Sequence, residues 1–534
     1  MLTKRVTRRS LLRWSGGAAT LGLLAACSPA APNPAAATVP VASQAPAAAT
    51  KAPEPKRGGT LTLGMTAGVQ EFNPMNMTVG NAPFIRSVYN TLLRYDESLQ
   101  PQPELADKWQ LAPDGKSISL NLRQGVKYHS GREFTSADVR FSVEFGQTND
   151  RAIMRELFKT VKQVETPDKY SVTLSFATPN PGVYDLLDVL FMIDRETIED
   201  RAKTAVGTGP FRVDKYVPGD RVEMLAFKEY WESGKPYLDK YIARQIPDPS
   251  ALTINLESGA LDYVHSVSLQ DAARLQESGG KYVVVRGNQG NSIYDVGMNV
   301  KVEPLTDKRV RQAIAWSIDR ERFCKTALKG FSTPTCLIWP SYSWAYFQDM
   351  EGKIGYDLDK ARSLLKEAGL ETGFETELRT SSKTDQGYTD LAIIMQADLK
   401  KIGINAKVSD LDSTLYTNKN QSGDLIMMTH AYGRASRDPA TTLSGAKAWY
   451  LEKEGGWCHY EGAEYEQLRK DLQVVIDQEK RKQICRRIQE IVLDECFTVT
   501  VAARPRIIVY QSYVRGATLS LDDYPFVGNI WLDK

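Results

Sequence analysis

The chain has 534 residues, of which 42% are hydrophobic and 9% aromatic, as in an ordinary globular protein. Its 67 basic and 65 acidic side chains leave a formal net charge of +2, spread without long basic runs. Nucleic-acid binding needs a concentrated basic surface, so we expect no nucleic-acid partner.

The first residues have the pattern of an export signal. Basic side chains precede an apolar stretch over residues 15–26, and no Asp or Glu occurs before residue 54. That stretch is too short to cross a bilayer as a helix, which takes about 20 residues. Residues 7–13, with Arg8 and Arg9 side by side, resemble the twin-arginine export motif; the alternative is an ordinary basic leader. Both interpretations predict that the chain leaves the cytoplasm.

The apolar stretch ends in Leu24-Ala25-Ala26-Cys27, which resembles a lipobox, where a signal peptidase cuts before a lipid-bearing cysteine. Acyl chains on Cys27 would hold the protein at a membrane, since each buried CH₂ contributes about 0.8 kcal/mol. We predict a signal peptide over 1–27 and a lipid-anchored protein in the periplasm or at the outer face of the cytoplasmic membrane. The alternative is an accidental cysteine. Ala and Pro make up 18 of the 30 residues from 28 to 57, which predicts a tether.

Residues 58–534 are too many for one hydrophobic core and indicate two or three domains. Polar and apolar alternation predicts strands at 60–63, 117–122, 161–165, 170–176, 211–216, 221–227 and 404–408. Helical spacing predicts helices at 84–93, 136–147, 306–329, 358–368, 391–402 and 465–493, the last broken near Asp477. Thr135 and Asp138 predict a capping box at the start of the second of these helices. Helices that alternate with strands indicate an α/β fold.

Five cysteines follow Cys27, an odd number that leaves at least one thiol without an intramolecular partner. Cys485 and Cys496 share a predicted helix, where a rise of 1.5 Å per residue puts them about 16 Å apart, too far for a disulfide. A bridge between Cys324 and Cys336 stays open, because the chain is predicted to reach an oxidising compartment.

The common catalytic motifs are incomplete in this sequence. Gly115-Lys116-Ser117 imitates the end of a phosphate-binding loop, but Gln110 stands where the first glycine belongs. No Gly-x-Ser-x-Gly, His-Glu-x-x-His or Cys-x-x-Cys motif occurs. We therefore predict neither an enzyme, nor a cofactor, nor a resident metal.

An ordered series of motifs identifies a family. The series comprises Arg57-Gly58-Gly59-Thr60-Leu61, residues 90–96, residues 103–106, residues 122–131, residues 134–139, residues 207–211, Tyr230-Trp231 and residues 307–319. Together they resemble the family 5 extracellular solute-binding proteins, the peptide, nickel and oligosaccharide class of bacterial ABC importers. The resemblance covers nearly all of the chain from residue 57 onward.

The resemblance implies a periplasmic-binding-protein-like α/β fold, with two lobes that close on a ligand like a flytrap and an additional small α/β domain. Lobe I would comprise 58–93, 206–297 and 503–534, domain II 94–205, and lobe II 298–502. The chain would bind a solute, by family default a di- or oligopeptide, and deliver it to the permease and ATPase subunits of an ABC importer. An oligosaccharide, an anionic opine-like compound, a metal chelate or a sensory role remain alternatives. A monomer is the simplest expectation.

Family members hold the ligand between the lobes, with loops that correspond here to residues 66–73 and 430–438. If Asp438-Pro439 aligns with the Asp-Pro of peptide binders, their acidic residue falls near Ala435, between Arg434 and Arg437. Guanidinium groups bind oxyanions, so this departure favours a ligand rich in carboxylate, phosphate or hydroxyl groups. The alternative is that both arginines are solvated or paired with local acids.

The ligand-binding candidates are therefore the two loops and nearby rings that could stack on a solute: Phe72, Asn73, Trp344, Tyr346, His430, Tyr432, Arg434, Arg437, Asp438 and Trp449. The aromatic residues have an alternative place in the core or in the lobe interface. His430 has an alternative role as a hydrogen-bonded loop residue rather than a ligand of a chelated metal.

Overall fold

The computed structural model describes residues 54–69, 72–78, 80–149, 155–287, 291–433, 435 and 437–534. The predicted signal peptide, Cys27 and almost all of the tether lie outside these residues. Residues Pro55–Lys534 form one compact unit. Lys56 Nζ lies 2.7 Å from Asp533 Oδ1, and Arg57 Nη2 donates to the Gly234 carbonyl (2.9 Å), so the last residues of the predicted tether belong to this unit.

The described residues form twenty strands. Their bounds are β1 Thr60–Met65, β2 Leu93–Tyr95, β3 Pro101–Pro103, β4 Ala106–Leu111, β5 Ser117–Leu122, β6 Val161–Asp168, β7 Ser171–Phe176, β8 Phe211–Val217, β9 Arg221–Ala226, β10 Lys240–Gln245, β11 Tyr263–Val264, β12 Tyr282–Arg286, β13 Ser292–Met298, β14 Phe374–Thr380, β15 Ile404–Asp410, β16 Met427–Gly433, β17 Thr498–Ala503, β18 Ile507–Gln511, β19 Val514–Arg515 and β20 Trp531–Leu532.

Besides a few short 3-10 and π-helical turns, the same residues contain fourteen α-helices. Their bounds are α1 Ala82–Val88, α2 Ser136–Thr148, α3 Arg155–Lys159, α4 Val183–Val189, α5 Pro249–Glu257, α6 Leu269–Gln276, α7 Lys308–Ser317, α8 Arg320–Arg322, α9 Leu358–Glu367, α10 Gln386–Lys401, α11 Ser413–Ser422, α12 Pro439–Gly445, α13 Ala463–Val474 and α14 Gln478–Glu495. No helix within the described ranges combines the length and apolarity that crossing a bilayer requires.

A seven-stranded sheet has the order β12-β18-β11-β1-β10-β9-β8. The alternating residues of β1 explain its central place: Leu61 and Leu63 are buried and lie beside Tyr241 and Ala243 of the parallel strand β10. The strands come from the start, the middle and the end of the chain, within the three stretches that were expected to form lobe I.

A five-stranded sheet has the order β15-β14-β16-β13-β17, and α7, α9 and α10 contribute to its core. Strand β13 pairs with β16 on one side and β17 on the other. Residues 292–297, which were expected to form part of lobe I, therefore pair with strands of this second sheet.

A four-stranded antiparallel sheet, β4-β5-β7-β6, packs with α2 inside the stretch expected to form domain II. The predicted capping box at the start of α2 is confirmed, with the Thr135 N–H donating to Asp138 Oδ2 (2.9 Å). Asp138 is buried and also pairs with Arg132 (2.7 Å) and Arg195 (2.9 Å). The structure thus confirms the mixed α/β fold predicted from the sequence, with several sheets that pack against helices.

The chain passes between the seven-stranded and five-stranded sheets twice. It passes first between Arg286 and Ser292, and again through Arg504-Pro505-Arg506. The two crossings are hydrogen-bonded side by side: the Arg504 N–H donates to the Ser292 carbonyl (2.8 Å) and the Gly287 N–H to the Arg506 carbonyl (2.8 Å). Two short adjacent connections of this kind can serve as a hinge.

The helix predicted over 306–329 is divided in the structure. Ile318 is extended, and Asp319 Oδ1 accepts from the Arg322 N–H (2.9 Å), so the carboxylate caps a new helix start that spacing alone did not indicate. The predicted break near Asp477 is confirmed, because Asp477 Oδ1 accepts from the Lys480 N–H (2.8 Å) at the start of α14.

The five described cysteines are buried free thiols. The bridge between Cys324 and Cys336 that the sequence left open is therefore not formed in this structure. Burial raises the pKa of Cys324 to about 12, which keeps that thiol protonated and unreactive at neutral pH.

Candidate functional site

A cavity of about 370 Å³ lies where the two large sheets meet, close to the crossing segments. Part of its lining comes from Ala431, Gly433 and Arg437, and another part from Pro74, Met75, Met77, Thr78, Val189 and Phe191. Residues of the second predicted loop region, 430–438, therefore line the cavity. No described residue of the first, 66–73, does so, and the lining begins just beyond it at Pro74. The volume lies at the lower end of the range of about 300–1,000 Å³ that ligand pockets occupy.

The apolar wall of the cavity comprises Met75, Met77, Phe158, Val189 and Phe191. Asn73 positions the start of this wall, because its Oδ1 accepts from the Met75 N–H (3.0 Å) and caps the short turn Pro74–Asn76. A side chain or an aliphatic part of a solute would lose water contact against these groups.

The opposite wall is polar and carries the crossing segments. Arg504 and Arg506 line it together with Asn291 and Ser292 of the other crossing. Arg504 Nη2 lies 2.6 Å from Asp385 Oδ2, so the charge of Arg504 is compensated from the five-stranded side.

Arg506 has different surroundings. Its Nη1 donates to the Asp522 backbone carbonyl (3.0 Å), and its guanidinium lies 5.8 Å from the centre of the Tyr524 ring. Burial raises the pKa of Tyr524 to about 12, so its hydroxyl is neutral at physiological pH. Burial, with a smaller contribution from Arg506, lowers the pKa of the neighbouring His265 to about 3, so that ring is neutral as well.

Arg437 also lines the cavity, but its positive charge is already paired with buried carboxylates. Nη1 lies 2.7 Å from Asp188 Oδ2, and Nη2 donates to Asp522 Oδ2. Asp188 also accepts from Arg86 (3.2 Å). Burial alone would lower the pKa of Arg437, but Asp522 and Asp188 outweigh it and raise the pKa. Oxyanion binding by Arg437 would need these buried pairs to break.

The other candidates of the second loop are structural. Asp438 caps α12, and its carboxylate accepts from Arg481 (2.9 Å), away from the cavity lining. Tyr432 is buried, with its hydroxyl donating to the Ile338 carbonyl (2.6 Å). His430 Nδ1 lies 3.4 Å from Asp295 Oδ1, and its ring packs edge-on against Trp457. Arg434 lies outside the described residues, so its proposed contact with an anion stays a prediction.

Most aromatic candidates do not line the cavity either. Phe72 is buried against Phe84 and Tyr216, and Trp449 is buried against Tyr432. The side chain of Trp344 lies beneath Arg481, with the guanidinium 4.9 Å from the ring centre. Tyr346 packs against the core of the five-stranded sheet. These rings take the alternative that the sequence left open, a place in packing rather than in a ligand pocket.

Sequence reasoning missed the crossing segments. Arg504 and Arg506 flank a proline between two buried strands, and the two strands belong to different sheets. A pair of cations in a connection between two lobes was the available signal, since such a connection must pass the floor of the cleft. Within the described residues there is no group of three or more His, Cys, Asp or Glu side chains placed to hold a metal ion.

Comparison with known proteins identifies the family of the chain. The model of the family described as bacterial extracellular solute-binding proteins, family 5 Middle, matches residues 100–449. The dipeptide-binding protein of Escherichia coli (strain K12) is 26% identical over 483 residues, which are 83% of this chain and 89% of that protein. The glutathione-binding protein GsiB of Salmonella paratyphi A is 29% identical over 335 residues, which span 61% of this chain and 64% of that relative.

Solved structures agree in fold. AgaA of A. tumefaciens R10, in complex with agropinic acid, superposes with a TM-score of 0.72 at 25% identity, covering 89% of this chain and 99% of that one. The substrate-binding protein CtaP of Listeria monocytogenes superposes with a TM-score of 0.80 at 21% identity, covering 90% and 100%. The expected binding-protein fold is thereby confirmed.

Proposed function

Because the chain belongs to the family 5 bacterial extracellular solute-binding proteins, we propose that it captures a small solute in the cavity between its two large sheets and delivers it to an ABC importer. The observation that carries this proposal is the position of the cavity. Its lining combines residues of the five-stranded sheet and of both crossings with Phe191 and Tyr524, which pack on the side of the seven-stranded sheet. A bound solute would therefore favour the closed arrangement by touching both sides at once.

We propose a solute of about dipeptide size. The E. coli relative is a dipeptide-binding protein, and a cavity of about 370 Å³ favours such a ligand over a long oligopeptide. The structure in complex with agropinic acid supports an opine-like compound as the second candidate. In both cases ATP hydrolysis by other subunits would supply the energy of import, and this chain would supply capture and docking.

The domain organisation and the membrane attachment belong to the same proposal. Lobe I would comprise 58–93, 206–291 and 503–534, domain II 94–205, and lobe II 292–502. The lipobox at Cys27 supports attachment by lipid, with residues 28–54 as the tether. Incorporation of a radioactive fatty acid into the wild-type protein, with none in Cys27→Ala, is the expected result, and equal labelling of the two would exclude this attachment.

A thermal-shift screen tests the function. Residues 55–534 form a compact unit and are titrated with di- to pentapeptides, oligosaccharides, opine-like acids and nickel chelates. A solute that binds only the native state stabilises it by about 2.7 kcal/mol at a free concentration of 100 times Kd, which raises the melting temperature. A saturable shift with a dipeptide or an opine-like acid is expected. If no solute of any class shifts the melting temperature, solute capture at this cavity is excluded for these classes.

A further inference from the structure

Arg506 differs from the other two arginines that line the cavity. Arg437 is paired with Asp188 and Asp522, and Arg504 is paired with Asp385. Among the residues that the structure describes, no carboxylate lies within ion-pair distance of Arg506. Its described partners are both neutral: the Asp522 backbone carbonyl and the phenol of Tyr524, with which the guanidinium also forms a hydrogen bond.

The Arg506 guanidinium is held in place without being neutralised. The Asp522 carbonyl orients one amino group, and the Tyr524 ring supports the planar guanidinium from one side. A guanidinium has five N–H groups, and the contacts with Asp522 and Tyr524 use only some of them. A half-buried guanidinium in a fixed position is suited to bidentate recognition of a carboxylate.

The cavity also limits what can carry this carboxylate. Its apolar wall of Met75, Met77, Phe158, Val189 and Phe191 faces a solute from the other side. A solute that pairs with Arg506 would be stabilised further if it carried an aliphatic or aromatic part. A neutral sugar would leave the guanidinium without a counter-charge and the apolar wall without a complement.

We infer that Arg506 is the residue that binds the carboxylate of the solute and selects small carboxylic acids with an apolar part. This inference rests on the proposed function and assigns the recognition to the crossing segment, instead of to Arg434 and Arg437. Because Arg506 lies in the crossing and its guanidinium is held by Asp522 and Tyr524, its partner would bind at the floor of the cleft, next to the hinge.

The test compares acids with their amides on four proteins by isothermal titration. The panel contains dipeptides as free acids and as C-terminal amides, and N-(1-carboxyethyl) amino acids as free acids and as amides. The proteins are wild type, Arg506→Gln, Arg506→Lys and Arg286→Gln. Arg286 is a matched control, because it pairs in register with the neighbouring Ile507 but is exposed outside the cavity, over Phe331.

Wild type is expected to bind the free acid of at least one pair about 10- to 100-fold more tightly than the amide, the range of a charge-assisted hydrogen bond. Arg506→Gln is expected to lower affinity for the acid to that for the amide. Arg506→Lys keeps part of the preference, since it keeps the charge but not the planar fork. Arg286→Gln is expected to keep the full wild-type preference for the acid over the amide. The unliganded melting temperature shows whether each variant is folded.

Two results would overturn the inference while leaving solute capture intact: amides that bind wild type as tightly as acids, or a folded Arg506→Gln that keeps the preference. Tight binding of a neutral sugar, with no binding of any acid, would also overturn the inference. If no compound binds wild type, the proposed function fails for these classes, and the role of Arg506 fails with it. Comparison of the dipeptides with the N-(1-carboxyethyl) amino acids shows whether the bound carboxylate belongs to a peptide or to an opine-like compound.

Discussion

Two carboxylates on helix α4 show how neighbouring groups acquire opposite pKa shifts. Burial raises the pKa of Asp185 to about 6; Asp438 reinforces the shift, while Arg437 opposes it. Burial also acts on Asp188, but Arg86 and Arg437 outweigh it and hold the pKa below its ordinary value. The two residues are one helical turn apart, so the difference comes from which side chains face each of them.

Asp185→Asn is expected to change the pH dependence of stability. The native state binds a proton on Asp185 below about pH 6, whereas the unfolded chain does so only near pH 4, so wild type loses stability from this group as the pH rises between those values. With the pKa near 6, the loss between pH 4.5 and 7.5 is about 2 kcal/mol. Urea unfolding at the two pH values should show the variant gaining this amount relative to wild type as the pH rises.

Asp188→Asn is the matched control on the same helix. Its pKa is lowered in the native state, so its contribution is present above the ordinary carboxyl pKa and is lost as the pH falls. The difference in the free energy of unfolding between Asp188→Asn and wild type should therefore shrink only under acid conditions. Parallel pH profiles for wild type and Asp185→Asn would contradict the assignment of a raised pKa to Asp185.

At the scale of elements, the residues between β16 and α12 connect all three expected domains. Arg437 pairs with Asp188 on α4 and with Asp522 near the C-terminus, and the Asp438 N–H donates to Asp185 (3.1 Å). Each of these contacts joins segments that are far apart in sequence. The pairs therefore stabilise the observed arrangement of the elements around the cavity.

Arg437→Met is expected to destabilise the protein by about 3–5 kcal/mol, because it leaves Asp188 and Asp522 buried with an incomplete set of cations. The measurement is urea unfolding at pH 7.5 with the slope checked against wild type. Arg486→Met is the control, since Arg486 pairs with Asp349 at an exposed position where loss of the pair matters little. Equal stability of Arg437→Met and Arg486→Met would show that the Arg437 pairs do not hold the elements together.

At the scale of the whole molecule, two hydrogen-bonded crossings and the Arg437 pairs define the available motion. A rotation about residues 504–506 would separate the sheets, keep Arg504 with Asp385 and keep Arg506 with Asp522. The cavity would open and the Arg437 pairs across it would break. Opening and loss of these pairs should therefore occur together.

Small-angle X-ray scattering should detect this motion. A compact chain of the size of residues 55–534 has a radius of gyration of about 23 Å. We expect the bound form to stay near the radius of the present structure, and unliganded Arg437→Met to be larger than unliganded wild type. A variant with the wild-type radius, with and without solute, would argue against coupling between the Arg437 pairs and closure.

The sequence was sufficient for the features that depend on local pattern. The basic leader, the lipobox motif, the capping box at Thr135, the break at Asp477 and the ordered family motifs are all read over a few residues at a time. Alternation in β1 likewise indicated a buried strand, because the backbone geometry of a strand sends successive side chains to opposite faces. These features led to the family, the α/β fold and the class of function.

The tertiary structure decided which side chains meet. Arg437 and Arg506 look alike as exposed-loop arginines in the sequence, but long-range contacts give Arg437 two buried carboxylates and, within the part of the chain that the structure describes, give Arg506 none. Trp449 and Tyr432 resemble stacking residues, but packing uses them for the core. Partners separated by up to about 250 residues determine these outcomes, and no local pattern encodes them. The sequence by itself therefore determined the family and its transport role, whereas the charge balance of the cleft arose only when distant segments folded together.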